Sequence, residues 1–315
     1  MAASGFLHLL FPGWAWAQAA QVRGLLGGGQ LDRALREATL LEQRHPGDPR
    51  GPALRGEVLL VLGEKDAARE CLRRAVQRAP RRTAPRLLLA RLRLEQGHAA
   101  AAVRDLEVLL AQHPRHREGV LLLGQALLAA QRHGAAASVL TLAVELQPAL
   151  RQASFLLAYA LQLAGRPREA AATYERLLRR EPSYPRARFN LGLSWLVARE
   201  YRRAIAELTR ATIDDPAYLP AHHALGRALA LAGEGAQAEQ ALRHCLRADP
   251  SYHRARFDLA CLLEEGGRDR EATAEYHRLL DSSALEASLA DRARCRLARL
   301  ADLPPRIPPP RLQPA

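Results

Sequence analysis

The chain is short of nearly everything that builds a catalytic or metal centre. Its four cysteines, Cys71, Cys245, Cys261 and Cys295, form no CxxC pair and no regular framework, which argues against a zinc knuckle or a disulfide scaffold and fits small buried or half-buried residues of a reducing compartment. There is no glycine-rich phosphate loop, no nucleophile elbow, and no carboxylate pair outside solvated helix faces. Catalytic, cofactor-binding and metal-binding residues are therefore not expected. Aromatic residues make up only 5% against 48% hydrophobic overall, so the apolar mass is alanine and leucine. With few Val, Ile and Thr, that composition favours closely packed helices over sheet. No run spans a membrane: residues 1–22 lack Asp, Glu, Lys and Arg, but Pro12-Gly13 breaks the apolar stretch early.

What is abundant is arginine. The net charge is +13, and of 46 basic residues only Lys65 is a lysine. One methionine and plentiful Ala, Arg, Gly and Pro mark the GC-rich composition common in bacteria, which accounts for the charge without a function. The other reading is an anionic partner. Basic stretches such as Arg73-Arg74, Arg78 and Arg179-Arg180 end helices, where cations suit the macrodipole, and they lack the interleaved aromatics of a nucleic-acid platform.

The organising feature is a period of thirty-four residues. Pro46, Pro80, Pro114, Pro148, Pro182, Pro216 and Pro250 recur at one interval, and Ala34, Ala68, Ala102, Ala136, Ala170, Ala204, Ala238 and Ala272 at the same interval in a second phase. Residues 15–286 read as eight helical hairpins: 15–48, 49–82, 83–116, 117–150, 151–184, 185–218, 219–252 and 253–286. Gly29, Gly63, Gly97, Gly165, Gly233 and Gly267 share one phase and stop the first helix of each hairpin; Gln131 and Arg199 stand there in two others. The prolines stop the second helix. A third phase is always small (Gly56, Ala90, Gly124, Ala158, Gly192, Gly226, Ala260), and around it lie large residues such as Leu89, Leu123 and Leu191. Small set against large, repeated, is how a solenoid interdigitates.

These phases resemble the tetratricopeptide repeat, with a small residue at the eighth position, alanine at the twentieth, Leu or an aromatic at the twenty-fourth and proline near the thirty-second. The family's fourth-position tryptophan is absent: Ser154, Arg188, His222 and Arg256 stand there. The resemblance implies an all-α, right-handed superhelical solenoid of about eight hairpins. Residues 287–302 read as an amphipathic capping helix whose Asp291, Arg292, Arg294, Arg296 and Arg299 form a polar outer side, and 303–315 as a proline-rich tail. Residues 1–14 read as an apolar cap on the first hairpin, or as part of a signal segment cleaved near Ala19; the expected compartment is the cytoplasm, with export the alternative.

The resemblance further implies that positions two, five, six, nine, twelve and thirteen face a groove. In repeats four to six these include Leu121, Leu122, Phe155, Tyr159, Phe189, Asn190, Leu193 and Val197; in seven and eight, His223, Arg227, Phe257 and Cys261. Phe155, Phe189, His223 and Phe257 form a ladder at position five. Such a ladder either packs between neighbouring helices or offers an apolar patch to a peptide or helix of another protein. Tyr184, Tyr218 and Tyr252, two residues after their prolines, are expected to pack at the turns. The expectation is a non-enzymatic scaffold that binds a protein or peptide. An electrostatic binder of RNA or anionic membrane is the competing reading, and self-association through the uncharged N-terminus a third.

Overall fold

The computed structural model describes residues 13–301, which form seventeen α-helices and no strand. The apolar segment ahead of Gly13 and the proline-rich tail lie outside the described residues. In order, the helices are α1 (Gly13–Gly27), α2 (Leu31–Arg44), α3 (Arg50–Val61), α4 (Lys65–Arg78), α5 (Thr83–Glu95), α6 (Ala99–Gln112), α7 (Arg117–Ala129), α8 (His133–Leu146) and α9 (Arg151–Leu163). They continue as α10 (Pro167–Arg180), α11 (Pro185–Val197), α12 (Tyr201–Asp214), α13 (Leu219–Leu231), α14 (Gly235–Ala248), α15 (His253–Glu265), α16 (Asp269–Leu280) and α17 (Ala287–Ala301). The chain divides into two compact units, one through Ala164 and one from Gly165, so the division falls in the turn after α9. Ala19, the candidate cleavage point, lies inside α1 and is buried there.

Within each unit, helices adjacent in sequence pack as hairpins, and successive first helices also touch: α5 with α7 and α7 with α9 in one unit, α11 with α13 and α13 with α15 in the other. Proline sets where each second helix stops. The residue before it leaves the helical region, as at His45 (φ −128°, ψ 70°) and Asp249 (φ −140°, ψ 98°), because the proline ring clashes with an α conformation there. The mid-repeat turns all need a left-handed residue. Six of them use glycine, and the two exceptions adopt the same conformation at a steric cost, Gln131 at φ 57° and Arg199 at φ 61°.

The small phase is explained by one contact. A Cβ on Gly192 would come within 2.6 Å of Leu208 Cγ, and one on Gly226 within 2.9 Å of Leu242 Cγ. Position eight of the first helix thus receives the position-twenty-four leucine of the second, and that leucine is fully buried in both hairpins. Anything larger would push the pair apart.

The missing tryptophan has a replacement with its own logic. Arg86, Arg188 and Arg256 donate from NH2 to the carbonyl of the proline six residues earlier, at 2.9, 2.7 and 2.7 Å from Pro80, Pro182 and Pro250, and the His222 ring meets Pro216 O at 3.0 Å. Two of the guanidiniums also find acids on the second helix. Arg188 pairs with Glu207 and Asp214, and Arg256 with Glu275. In these four repeats the fourth position therefore fastens the repeat to the turn before it. Arg93, which breaks an otherwise leucine-rich phase, is likewise held by Asp105.

In α17, Leu289 and Ala293 are buried against α15 and α16. Its polar side is not uniformly outward, however. The Arg292 guanidinium lies 4.3 Å from the Phe257 ring centroid, and Arg296 NH1 reaches buried Glu264 Oε1 at 3.2 Å.

Candidate protein-binding face

In the first unit the candidate residues sit on α7 and α9. Phe155 and Tyr159, one turn apart, stack with ring centroids 6.5 Å apart and planes 10° from parallel. Tyr159 is 37% exposed, and Leu163, one turn further, 42%. Leu121 is half-buried, while Leu122 is buried and belongs to the core, a correction to its reading as a groove residue. The α7 helix turns Leu122 inward together with Leu123 and Ala126.

In the second unit the position-five side chains are engaged with the turn tyrosines. Phe189 meets Tyr218 edge to face at 5.2 Å, and His223 meets Tyr252 at 5.4 Å, as expected of tyrosines packing where repeats join. Phe189 remains half-buried. Phe257 is 3% exposed, closed in by Tyr276, Leu289 and Arg292, so its reading as a groove residue is corrected: α17 covers it. Asn190 Nδ2 donates to Arg186 O at 2.7 Å and Leu193 is half-buried.

What does face water is position thirteen. Val197 is 61% and Leu231 54% exposed, on α11 and α13. Applying the same register along the whole array would have singled out Leu163 and Leu231 beside Val197. Near these aliphatics the surface turns polar. His223 Nε2 lies 2.7 Å from Asp258 Oδ2, Arg227 Nε is 3.6 Å from the same oxygen, and Arg254 and Glu286 pair at 3.3 Å. With Arg292 they line a cleft of about 280 Å³.

The comparisons with known proteins bear on this frame. The model of the tetratricopeptide repeat family matches residues 19–82, 87–150 and 155–218. The chain belongs to the tetratricopeptide repeat family. Among solved structures, a tetratricopeptide repeat protein from Parabacteroides merdae is similar with a TM-score of 0.54 at 15% identity, over 79% of this chain and 98% of that one. YrrB is similar with a TM-score of 0.52 at 16% identity, over 59% of this chain and 96% of its own. At such identities the likeness concerns the fold. A comparison with curated proteins gives no match.

Tetratricopeptide repeat proteins are as a rule non-catalytic scaffolds that bind proteins or peptides, which puts this chain in the class of protein-interaction scaffolds. His223 and Cys261, which the sequence could bring together, have separate partners: Asp258 for the one, Tyr276 Oη at 3.3 Å for the other. Among the described residues no group of three or more His, Cys, Asp or Glu could hold a metal ion, and no helix is long and apolar enough to cross a membrane. Burial pushes the Cys261 thiol up, and that of Cys245 to about 11, so neither is a ready nucleophile. Cys295 is exposed, unlike the buried or half-buried cysteines the composition suggested.

Proposed function

We propose that this tetratricopeptide repeat protein assembles or recruits a complex by holding a peptide or helix of a partner protein against the first helices of its repeats. The observation that carries the reading is the column of aliphatic side chains at position thirteen. Val197 and Leu231 project more than half exposed from successive first helices, with half-buried Leu193 one turn before Val197. Hairpin packing does not use these side chains, since the interior of each pair is filled from positions eight and twenty-four. Exposed aliphatics in register on a rigid frame are typical of an interaction surface. The polar group of His223, Arg227 and Asp258 supplies donors and acceptors that fix a partner's orientation. In the first unit, Tyr159 and Leu163 beside Phe155 make a second stripe of the same kind. YrrB, which shares the fold, has a peptide-binding site. The arginine surface is less suited to carry the function, because many of its guanidiniums are already committed to carboxylates, as in Arg166–Glu169, Arg188–Glu207 and Arg268–Glu271.

The test is selection from a displayed random-peptide library, followed by binding of the enriched peptides to the Val197→Asp/Leu231→Asp variant. Both sites are exposed, so the thermal midpoint should not move. Loss of binding with the fold retained, and persistence of wild-type binding at moderate salt, is the expected result. Binding that ignores the double substitution sinks the reading.

A further inference from the structure

The second helices of the second unit stand apart, and the gaps between them are lined. Between α14 and α16 lies an open cleft of about 630 Å³, walled by four arginines (Arg243, Arg247, Arg256 and Arg278) and two glutamates, Glu239 and Glu275. Each glutamate is already shared. Glu239 takes Arg243 at 2.7 Å and Arg268 at 2.6 Å; Glu275 takes Arg256 at 2.8 Å and Arg278 at 2.6 Å. Arg247, on the exposed side of α14, makes no ion pair among the described residues. The cleft therefore carries an excess of positive charge that its own acids do not neutralise. Its floor is aliphatic, with buried Leu259 and part-buried Leu246. A second cleft of about 340 Å³, between α12 and α14, shares Gln240 and Arg247 with the first, so α14 is a ridge whose arginine borders both.

We propose that this face, formed by the second helices and distinct from the one proposed above, docks an acidic segment of a partner protein that carries an aliphatic anchor. The occupant follows from complementarity. Carboxylates match guanidiniums whose own acids are outnumbered, and a leucine-type side chain matches the Leu246–Leu259 floor. Nucleic acid is the poorer fit, because the cleft lining offers no aromatic ring on which a base could stack. A lipid surface is poorer still, since the charges line a recess and a flat bilayer meets only protruding ones.

The test uses the full chain and a short fluorescein-labelled peptide of Glu and Leu patterned as an amphipathic helix, read by anisotropy. The wild type should bind it, more weakly as salt rises. Arg247→Glu/Arg278→Glu should lower the affinity on the order of tenfold or more, whereas Val197→Asp/Leu231→Asp should leave it unchanged. The first-helix variant thus separates failure of this proposal from failure of the other. Should the double reversal not fold, Arg247→Glu alone decides, because replacing Arg247 breaks no ion pair among the described residues. Any one of three results overturns the proposal: affinity insensitive to Arg247, equal binding of a peptide with Lys in place of Glu, or tighter binding of a single-stranded oligonucleotide with the same dependence on Arg247.

Discussion

Two buried carboxylates, one in each unit, solve the same problem in different ways. Glu42 near the end of α2 gathers three guanidiniums, Arg74 at 2.7 Å and Arg55 and Arg78 at 3.5 Å each. Glu264 near the end of α15 accepts from Tyr276 Oη at 3.0 Å and from Arg296 of the capping helix at 3.2 Å. Both acids stand in phases that are mostly apolar in the other repeats. Arg55 does too, occupying the position of Leu89, Leu123, Leu157, Leu191, Leu225 and Leu259. Where the repeat code is broken, charge replaces aliphatic packing, and the replacement holds only while its partners remain. The difference lies in number. Glu42 holds three guanidiniums, two of which (Arg55 and Arg74) bury an Nε with no hydrogen-bond partner among the described residues, whereas Glu264 holds one.

That contrast orders the expected effects. Glu42→Leu should be the most damaging single change, about 3–5 kcal/mol in urea-unfolding experiments, because it leaves clustered cations in a partly buried site. Adding Arg55→Leu restores both apolar phases and should recover most of that loss; no recovery would show that the cluster is not what holds α2 to α3. Glu264→Leu should cost less, about 1–3 kcal/mol, since one guanidinium and not three loses its acid, and the Tyr276 hydroxyl keeps Cys261 beside it. Smaller and of opposite sign, Gln131→Gly and Arg199→Gly should each stabilise by about 1 kcal/mol, as glycine takes the left-handed turn without a Cβ clash. A rise in the thermal midpoint of each variant is the check. The last effect is kinetic. At neutral pH, alkylation should label Cys295 first and spare Cys245, whose thiol is pushed up to about 11 and stays protonated. Cys261, beside Tyr276, should become reactive in Glu264→Leu if the cluster opens, and stay protected if it does not.

The sequence carried the frame because each repeat answers to local rules. Glycine marks a positive φ, proline marks a stop, and a small residue marks a close approach. Each rule is visible at a single position, and recurrence makes it secure. The charged substitutions were opaque for the opposite reason. Arg188, His222 and Arg256 looked like departures from the family pattern, and their acceptor is a backbone carbonyl that no side-chain code records. Nothing in the repeat pattern pairs Glu42 with Arg55; only the fold brings them together. The candidate face was legible in register but not in depth. Position five, the most aromatic column, is half-covered by the turn tyrosines and at Phe257 closed by α17, so the more exposed column is the plainer one at position thirteen.

The hook from the fourth residue of a repeat to the carbonyl of the preceding proline makes the joints at Arg188, His222 and Arg256 copies of one another. Duplicating or excising thirty-four residues between two such joints would present the same hook to the same eye, with no new surface to invent. Growth or shrinkage by whole periods is thus the easy path open to this molecule, and insertion of a partial period the forbidden one.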